Sequence, residues 1–321
     1  MSVSECAEKG IVVFNTPGAN ANAVKELVVC ALFLASRKIV EGAKWGEGRK
    51  GEGAEVSKKV EKGKSAFAGP EILGKTLGVV GLGAIGVLVA NAAKALGMRV
   101  IGFDPFLSPA AKKALDPSIA VTDLDTVFAE SDYITLHAPL TDSTRGVVGK
   151  ENLAKAKDGL RVLNFSRAEL VNEADILEAL ASGKCAAYAT DFPTDAQLAA
   201  PGVIAIPHLG ASTPEAEENC AVMAVEQLAD YLENGNVKNA VNLPALSLPR
   251  SAKARITAIT KEDISETLAS VLKQAGVPVA SSAAAVKKGT GYCIFDTDTE
   301  ITDEIIERLK TAESVLAIRI I

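Results

Sequence analysis

The chain has 321 residues, of which 48% are hydrophobic, and its formal net charge is −6. This length and composition indicate two or three domains with a large buried core, and the negative charge gives no electrostatic reason to expect a nucleic-acid partner. The longest apolar run, at 27–35, is too short to span a bilayer, and the polar start at 2–9 is not a signal peptide. The five scattered cysteines lack metal-ligand or redox spacing, so we expect a cytoplasmic protein with reduced thiols and no metal site.

The first part of the chain predicts a short strand at 11–14 and a helix with an apolar face at 21–40. A stretch rich in Gly, Lys and Glu follows at 41–64 and indicates a solvated connection. From residue 75 onward, short apolar runs alternate with helical patterns. Strands are predicted at 76–80, 99–103, 133–136, 161–164, 186–190 and 203–206, and helices at 84–96, 123–129, 150–156 and 174–182. This alternation is typical of an α/β fold with a doubly wound, largely parallel sheet and helices on both faces.

The C-terminal part of the chain has a different rhythm. A long helix is predicted at 213–234, with Ser212 as its N-cap, and a linker with two prolines follows at 243–250. Beyond the linker, strands are predicted at 255–259, 277–280, 293–296 and 315–320, and helices at 264–274 and 303–309. Their order is that of a split β-α-β pair, which predicts a separate small α+β domain of the ferredoxin-like kind.

A glycine pattern, GLGAIG, lies between a predicted strand and a predicted helix. In this pattern Gly81 permits a tight turn, Gly83 lets the backbone approach a pyrophosphate, and Gly86 allows close packing of helix on strand. Such glycines can also be purely structural. Here Asp104 ends the next strand, at about the spacing of the acid that binds ribose hydroxyls, and its charge repels a 2′-phosphate. The pattern therefore predicts NAD rather than NADP as the cofactor.

Three further residues lie just beyond predicted strands, where open α/β sheets place their ligands: His137, Arg167 and His208. A lone histidine is more often structural than catalytic, so position alone assigns neither of the two. An enzyme that oxidises a 2-hydroxy acid needs a base for the hydroxyl proton and a cation for the carboxylate. Histidine suits the first task near neutral pH, and the planar fork of arginine suits the second.

Four stretches around these residues resemble the D-2-hydroxyacid dehydrogenases. They are the glycine pattern with its acid, LHAPLT at 136–141, NFSR at 164–167 and PHLGAST at 207–213. The segments 6–20 and 235–249 also match, and the second resembles the phosphoglycerate dehydrogenases of that family in particular. The resemblance implies that Arg167 binds the substrate carboxylate and that His208 is the acid/base catalyst.

The third catalytic position departs from the family pattern. The resemblance implies a glutamate behind the histidine, and this position falls on Asp195, whose side chain is one methylene shorter. The family's cofactor-contacting aspartate falls on Thr190, with Asp191 one residue later. A one-residue slip in a strand turns a side chain to the other face, so either Thr190 contacts the nicotinamide or the strand end is rearranged.

The complete expected site has three sets of residues. The catalytic set is Arg167, His208 and Asp195, and the substrate-binding set is Asn20, Arg167 and His208. The cofactor-binding set is Gly81, Gly83, Ala84, Ile85, Gly86, Asp104, His137, Ala138, Pro139, Asn164, Thr190, Asp191 and Gly210. For His137, a structural role is an equal alternative.

In the resembled family the cofactor domain interrupts the substrate domain. We therefore expect a substrate-domain remnant at 1–19, an NAD-binding Rossmann domain at 20–207, a return segment and linker at 208–249, and a regulatory domain at 250–321. The larger first part of the substrate domain is expected to be missing, through a misassigned start or a shortened chain, or else to be supplied by a partner chain. The first two explanations are favoured because the helix at 21–40 has an apolar side with little left to cover it.

The tail at 254–321 resembles an ACT domain, an amino-acid-sensing module, and this favours oxidation of 3-phospho-D-glycerate to 3-phosphohydroxypyruvate, the first step of L-serine biosynthesis. Its loop at 260–265, TKEDIS, lacks the Pro-Gly of the family's effector loop. The module is therefore expected either to sense serine or only to join a homo-oligomer, a dimer or a tetramer. Two other functions stay open: a dehydrogenase of another D-2-hydroxy acid, and a non-catalytic NAD-binding regulatory oligomer.

Overall fold

The computed structural model describes residues 2–321, and the chain divides into two compact units. One unit is Asn20–Glu217, and the other combines the N-terminal residues up to Ala19 with Glu218–Ile321. Across residues 2–321, every helix is too short or too polar to span a bilayer. The helices, in chain order, are α1 (Val3–Glu8), α2 (Ala21–Ser36), α3 (Ile39–Glu47), α4 (Glu55–Gly63), α5 (Ala84–Ala95), α6 (Pro109–Ala114), α7 (Leu124–Glu130), α8 (Lys150–Lys155), α9 (Glu173–Ser182), α10 (Asp195–Ala199), α11 (Pro214–Asn234), α12 (Ser265–Gln274) and α13 (Asp303–Lys310).

The first unit contains a seven-stranded sheet whose neighbouring strands are all parallel. Its strands are β1 (Thr76–Val80), β2 (Arg99–Phe103), β3 (Ala120–Val121), β4 (Tyr133–Leu136), β5 (Leu160–Asn164), β6 (Cys185–Thr190) and β7 (Val203–Ala205), in the order β3-β2-β1-β4-β5-β6-β7. The predicted strands of this region are all present. The additional strand, β3, escaped prediction because it has two residues, both exposed, and no apolar run.

Apolar side chains cover both faces of the parallel sheet. Leu77 and Val79 of β1 are buried in a core shared with α2 and α5, whereas Val80 is buried in a second core shared with α7, α8 and α9. Successive side chains of a strand point to opposite faces, so buried residues on both sides require a layer of helices on each. The predicted doubly wound α/β class is confirmed.

The prediction that the first long helix leaves its apolar side uncovered is wrong. The helix, α2, ends at Ser36, and its residues Val24, Val28 and Leu32 are buried in the same core as α5. The Ser36 hydroxyl also shares a 2.7 Å hydrogen bond with the Tyr133 hydroxyl on β4. The cover comes from the sheet itself and from α5, which no local sequence pattern around α2 could show.

The Gly-, Lys- and Glu-rich stretch was predicted to be a solvated connection, and none of its residues is buried, but most of it is helical. It contains α3, α4 and a short 3₁₀ turn at Lys64–Phe67. The rings of Trp45 and Phe67 lie 5.6 Å apart and join the first of these helices to the turn. None of these helical segments has a buried residue, so the core-facing apolar face that identifies a helix from sequence is missing here.

The second unit contains a four-stranded antiparallel sheet. Its strands are β8 (Ala254–Thr260), β9 (Ser281–Lys287), β10 (Thr290–Thr297) and β11 (Val315–Ile320), in the order β11-β8-β10-β9. With α12 after β8 and α13 after β10, this is the predicted split β-α-β arrangement. The predicted α+β character of the tail is confirmed.

One strand of this sheet was predicted in the wrong place. Residues 277–280 form no strand, and the strand that follows α12 is β9, which is built from Ser, Ala, Val and Lys. Val277 is buried in the core between sheet and helices, which gave the segment its apolar signal. The edge strand β9 carries small residues that alternate between half-buried and exposed, so its sequence has no strong apolar run.

The predicted strand at 11–14 is reduced to one antiparallel bridge, between Phe14 and Ala240. The side chain of Asn242 replaces a partner strand there, because it accepts a hydrogen bond from Val13 N (2.9 Å) and donates one to Ile11 O (2.8 Å). A cluster of apolar side chains joins this N-terminal segment, the segment at 235–249 and the four-stranded sheet in one interior: Val12, Phe14, Tyr231, Val237, Ala240, Leu243, Ile259, Tyr292 and Ile294. The domain boundaries predicted from the sequence stay predictions.

Candidate active site

The glycine turn after β1 has a backbone that only glycine can adopt. Gly81 has a φ of +93°, and a Cβ added there would lie 2.6 Å from the backbone N of Ala138. A Cβ at Gly86 would lie 2.0 Å from the carbonyl oxygen of Gly81. Both positions therefore require glycine for the close packing of strand, turn and helix.

The middle glycine leaves open space instead. Gly83 is the N-cap of α5, it is exposed, and no atom lies within 4 Å of a Cβ added there. No side chain caps the helix at this position. The N–H groups at the start of α5, with Ala84 and Ile85, are thus available to an anion at the positive end of the helix dipole. This cradle fits the pyrophosphate of a dinucleotide.

Asp104, which follows β2, is fixed against the glycine turn. Its two carboxylate oxygens accept hydrogen bonds from Leu82 N and Phe106 N, each 2.8 Å long. A carboxylate oxygen can accept more than one hydrogen bond, so the acid can still bind ribose hydroxyls. Its negative charge beside the phosphate cradle disfavours a cofactor with a 2′-phosphate.

His137 lies beside the same turn, at the end of β4. Its Nε2 lies 2.9 Å from the Thr135 hydroxyl, and its backbone carbonyl borders Gly81. Burial lowers the pKa of His137 to about 3, so the imidazole is neutral at physiological pH. The neighbouring Ala138 is buried and Pro139 is exposed. The geometry gives His137 no carboxylate partner in the described chain, which fits a lining or structural role better than acid/base catalysis.

Asn164 and Arg167 lie at the end of β5. The buried Asn164 holds the loop, because its amide donates to Arg167 O (2.8 Å) and accepts from Ser166 N (3.2 Å). Ser166 in turn donates to Ala138 O (3.1 Å), which ties this loop to the one beside the glycine turn. The Arg167 side chain is exposed and donates one hydrogen bond, to Ser166 O, out of the five N–H donors of a guanidinium.

The end of β6 carries a buried carboxylate. Thr190 is buried, and its hydroxyl accepts a hydrogen bond from Phe192 N (3.1 Å). Asp191 is only 3% exposed, and within residues 2–321 neither of its carboxylate oxygens has a hydrogen-bond donor. Burial raises the pKa of Asp191, and the nearby His208 offsets part of that rise. A buried carboxylate without a donor is costly and is a common mark of a functional site.

His208 lies just beyond β7 and faces this carboxylate. Its Nε2 is 4.0 Å from Asp191 Oδ2, and its ring centroid is 4.6 Å from that of Phe192. The His208 side chain is 63% exposed, so a substrate can reach it. Asp195, which the sequence predicted as the partner of His208, lies in the first turn of α10, is exposed, and forms no ion pair with His208 in the described part of the chain. The structure thus brings Asp191, not Asp195, to the histidine.

The sequence also predicted site roles for Asn20, which lies at the start of α2, and for Gly210, which lies in the loop that carries His208. Asn20 is the N-cap residue of α2 and its side chain makes no capping hydrogen bond. One turn later, Val24 packs against Gly210, where an added Cβ would lie 3.3 Å from Val24 and 3.8 Å from Asp191 Oδ2. Gly210 therefore lies beside both Val24 of α2 and the Asp191 carboxylate.

All of these side chains follow the same ends of adjacent parallel strands. Asn164, Thr190 and Ala205 are register partners across β5, β6 and β7, and β1 and β4 continue the sheet from β5. Arg167, Asp191 and His208 come directly after these three strands, on the edge where the glycine turn follows β1. This edge is where open α/β sheets bind ligands, at the point where the strand order reverses.

Comparison with known proteins identifies the family. Residues 30–210 match the family described as D-isomer specific 2-hydroxyacid dehydrogenase, NAD binding domain. The chain belongs to this family. The dehydrogenase binds NAD, and the open cradle at Gly83 with Asp104 beside it fits that cofactor. When bound, NAD supplies the hydride acceptor.

Two curated relatives illustrate the range of the family. The dehydrogenase is 40% identical to a hydroxypyruvate reductase of Thermotoga maritima over 238 residues, which cover 71% of this chain and 72% of that protein. It is 36% identical to a D-3-phosphoglycerate dehydrogenase of Archaeoglobus fulgidus over 256 residues, which cover 77% of this chain and 46% of that protein. The chain thus spans about half the length of several phosphoglycerate dehydrogenases that it matches.

Solved structures give the same result. A glyoxylate reductase from Paecilomyes thermophila superposes with a TM-score of 0.62 at 28% identity, over 75% of this chain and 71% of that one. The apo structure of D-lactate dehydrogenase from Escherichia coli superposes with a TM-score of 0.60 at 26% identity, over 75% of this chain and 74% of that one. The fold is common to dehydrogenases with several substrates, so it does not define the substrate of this one.

Sequence reasoning missed one relation in the site, the pairing of His208 with Asp191. It included Asp191 only as a cofactor-binding residue, and it did not include Phe192. A signal was present in the sequence, since the shift of the aspartate by one residue at the end of β6 left two alternatives open: a nicotinamide contact by Thr190 or a rearranged strand end. The side to which that shift turns the carboxylate depends on the neighbouring loop and on α2.

Proposed function

We propose that this dehydrogenase oxidises 3-phospho-D-glycerate to 3-phosphohydroxypyruvate with NAD, the first step of L-serine biosynthesis. The single observation that carries a hydroxyacid dehydrogenase activity is the placement of Arg167 and His208 beyond adjacent strands, on the edge that carries the glycine turn. Two observations favour phosphoglycerate as the substrate: several relatives are D-3-phosphoglycerate dehydrogenases, and the strands β8–β11 have an ACT-like arrangement.

In the proposed mechanism each residue has one task. The exposed guanidinium of Arg167 binds the substrate carboxylate in two parallel hydrogen bonds and so fixes the orientation of C2. His208 accepts the proton of the C2 hydroxyl through its imidazole while C2 is oxidised, and it returns the proton in the reverse reaction. The exposure of the imidazole gives substrate access to it.

A second substrate has support of its own. The Thermotoga relative at 40% identity is a hydroxypyruvate reductase, and hydroxypyruvate differs from 3-phosphohydroxypyruvate by the phosphate. Rates of NADH oxidation with 3-phosphohydroxypyruvate, hydroxypyruvate and glyoxylate distinguish these substrates. A higher kcat/KM for the phosphorylated substrate supports the proposal, and a higher value for hydroxypyruvate assigns the chain to the second activity.

We expect His208→Asn to lower kcat by about 10²–10⁴-fold, because it removes the proton acceptor without changing the fold. Steady-state NADH oxidation measures the loss, and fluorescence of bound NADH serves as the control, since the affinity for NADH should not change. An unchanged rate contradicts the role of His208. If the natural chain binds NADH but does not oxidise it with any substrate, the result supports a non-catalytic regulatory protein instead.

We propose that the tail at 254–321 is an ACT-like module for regulation or assembly. We propose that the protein forms a homo-oligomer, a dimer or a tetramer, and that the loop at 260–265 does not bind L-serine, because it lacks the Pro-Gly that the resembled effector loop carries. Calorimetric titration with L-serine should show no heat of binding. A saturable heat would make the module a serine sensor.

A further inference from the structure

The carboxylate of Asp191 is the least satisfied buried group in the active-site region. Its side chain is fully buried, and in the part of the chain that the structure describes no donor reaches either oxygen. A buried carboxylate that only stabilised the fold would be paired or hydrogen-bonded, because an unpaired one lowers the stability. The position of Asp191 therefore calls for a functional explanation.

The surroundings of Asp191 restrict what it can act on. Gly210 in the histidine loop lies beside it, and the buried Val24 on α2 packs against that glycine. The one other titratable side chain that acts on its pKa in the described chain is His208, on the loop after β7, and the charge of Asp191 in turn acts on Tyr188 of β6. The histidine is the group with which it forms its ion pair, at 4.0 Å.

We propose that Asp191, and not Asp195, is the positioning residue that orients His208 and stabilises its protonated ring. Its role in catalysis rests on the proposed function, whereas its pairing with His208 does not. At 4.0 Å the two atoms lie beyond hydrogen-bond distance, so a hydrogen bond from His208 to Asp191 requires the loop that carries His208 to move closer to the carboxylate. Burial of the Asp191 carboxylate strengthens its attraction to a positive charge, while the exposed His208 stays accessible to substrate.

The two aspartates differ in a way that their sequence positions hide. Asp191 follows β6 directly, so the strand fixes its backbone and turns the carboxylate toward the loop after β7. Asp195 is four residues further on, beyond Phe192 and Pro193, and it begins α10 on the surface. Asp195, which occupies the position of the family's glutamate, is thus an exposed acid in the first turn of α10.

The pairing is testable without substrate or cofactor, since the chain has only two histidines. NMR titration of the histidine ring protons in the apo protein follows both, and His208→Asn assigns the signals. Asp191→Asn should change the chemical shifts of the His208 ring protons, because it removes a neighbouring negative charge. Asp195→Asn is the matched control and should leave these chemical shifts in place.

The wild-type protein supplies a second measurement that does not depend on the stability of a variant. The chemical shifts of the His208 ring protons should show a step at acidic pH, where Asp191 is protonated, and Asp191→Asn should lack this step. A wild-type curve without the step, or His208 signals that move in Asp195→Asn and not in Asp191→Asn, overturns the proposal.

The kinetic consequence separates this proposal from the proposed function. Asp191→Asn should lower kcat/KM by about 10–100-fold and shift the pH at which the reductive reaction declines to lower values, with KM for NADH unchanged. If the NMR shift is observed but neither protein oxidises NADH with any substrate, the pairing stands and the proposed activity fails. If activity is present and Asp191→Asn has the wild-type pH profile, the positioning role fails while the activity stands.

Discussion

Each compact unit contains a buried aspartate at the end of a strand or within one, and the two have opposite environments. Asp296 on β10 is fully buried and accepts hydrogen bonds from Arg255 Nε (2.7 Å), Arg255 Nη2 (2.9 Å) and Ser251 N (2.8 Å). Asp191 is nearly as buried and accepts none from the described residues. The same side chain is therefore a structural anchor in one unit and an available charge in the other.

The pKa values follow the same division. Burial alone raises the pKa of both carboxyls, but the hydrogen bonds and charge of Arg255 and the amide of Ser251 outweigh burial at Asp296 and lower its pKa. At Asp191 burial dominates, and His208 offsets only part of the effect. Burial alone therefore does not determine the role of a carboxylate, because the donors around it decide whether its charge is already paired.

The strongest test of the structural side of this comparison is Arg255→Ala. The guanidinium is fully buried, and it also donates to Asn234 O (2.6 Å), so its loss leaves Asp296 buried without its main partner. We expect the free energy of unfolding of the second unit to fall by roughly 3–5 kcal/mol. Urea unfolding followed by circular dichroism measures it. Lys155→Ala, which breaks the exposed pair with Asp125, is the control and should change little.

Matched Asp→Asn substitutions at the two buried aspartates should change the stability at pH 7 in opposite directions. Asp296→Asn should destabilise the protein by roughly 1.5–3 kcal/mol, since it weakens hydrogen bonds to a charged partner. Asp191→Asn should stabilise it by on the order of 1 kcal/mol, since it removes a buried negative charge that has no donor. Thermal unfolding of both variants measures the signs, and two losses of equal size would erase the distinction.

The stability changes in these two variants should also depend on pH, which is a smaller effect with a defined direction. The folded protein lowers the pKa of Asp296 below its ordinary value of 3.8, so the stability that this residue contributes is present above pH 3.8 and is lost as the pH falls below it. The pKa of Asp191 is raised above 3.8, so stability is lost as the pH rises through the raised value. The gain in Asp191→Asn should therefore shrink as the pH is lowered toward 3.8, in unfolding experiments at a series of pH values.

The smallest expected effect concerns Asp195. Because this carboxylate is exposed in the first turn of α10, Asp195→Asn should change the free energy of unfolding by no more than roughly 0.5 kcal/mol and leave kcat near the wild-type value. Chemical unfolding and the NADH oxidation assay measure the two quantities. A large loss of activity in this variant would return Asp195 to the catalytic set.

The parts of the fold that could be predicted from the sequence are those with a strong local signal. The buried strands of the parallel sheet are continuous apolar runs, and the glycine turn has residue types that its backbone demands, as Gly81 and Gly86 show. Helices α3 and α4 could not be predicted in this way, because they bury no residue. The edge strand β9 was displaced in the prediction because Val277, just before it, is the more apolar and buried residue.

The candidate site divides along the same line. Asp104, Arg167 and His208 follow strands at positions that periodicity and residue chemistry indicate, so their common edge could be predicted. The choice between Asp191 and Asp195 could not, because it depends on the direction in which one strand end turns and on the cover that Val24 and Gly210 provide. Such tertiary contacts have no counterpart in a linear motif.

The four-stranded sheet shares an interior with the segment at 235–249, and this limits where the tail can be separated from the rest of the chain. Tyr292 donates a hydrogen bond to Gly235 O (2.6 Å) and lies against Tyr231, so a cut at the linker leaves aromatic surface and a buried hydroxyl facing water on both fragments. Excised modules of this kind tend to aggregate. A switch operated by the tail is therefore expected to act through repacking of this joint interior rather than through the swing of an independent domain on a tether.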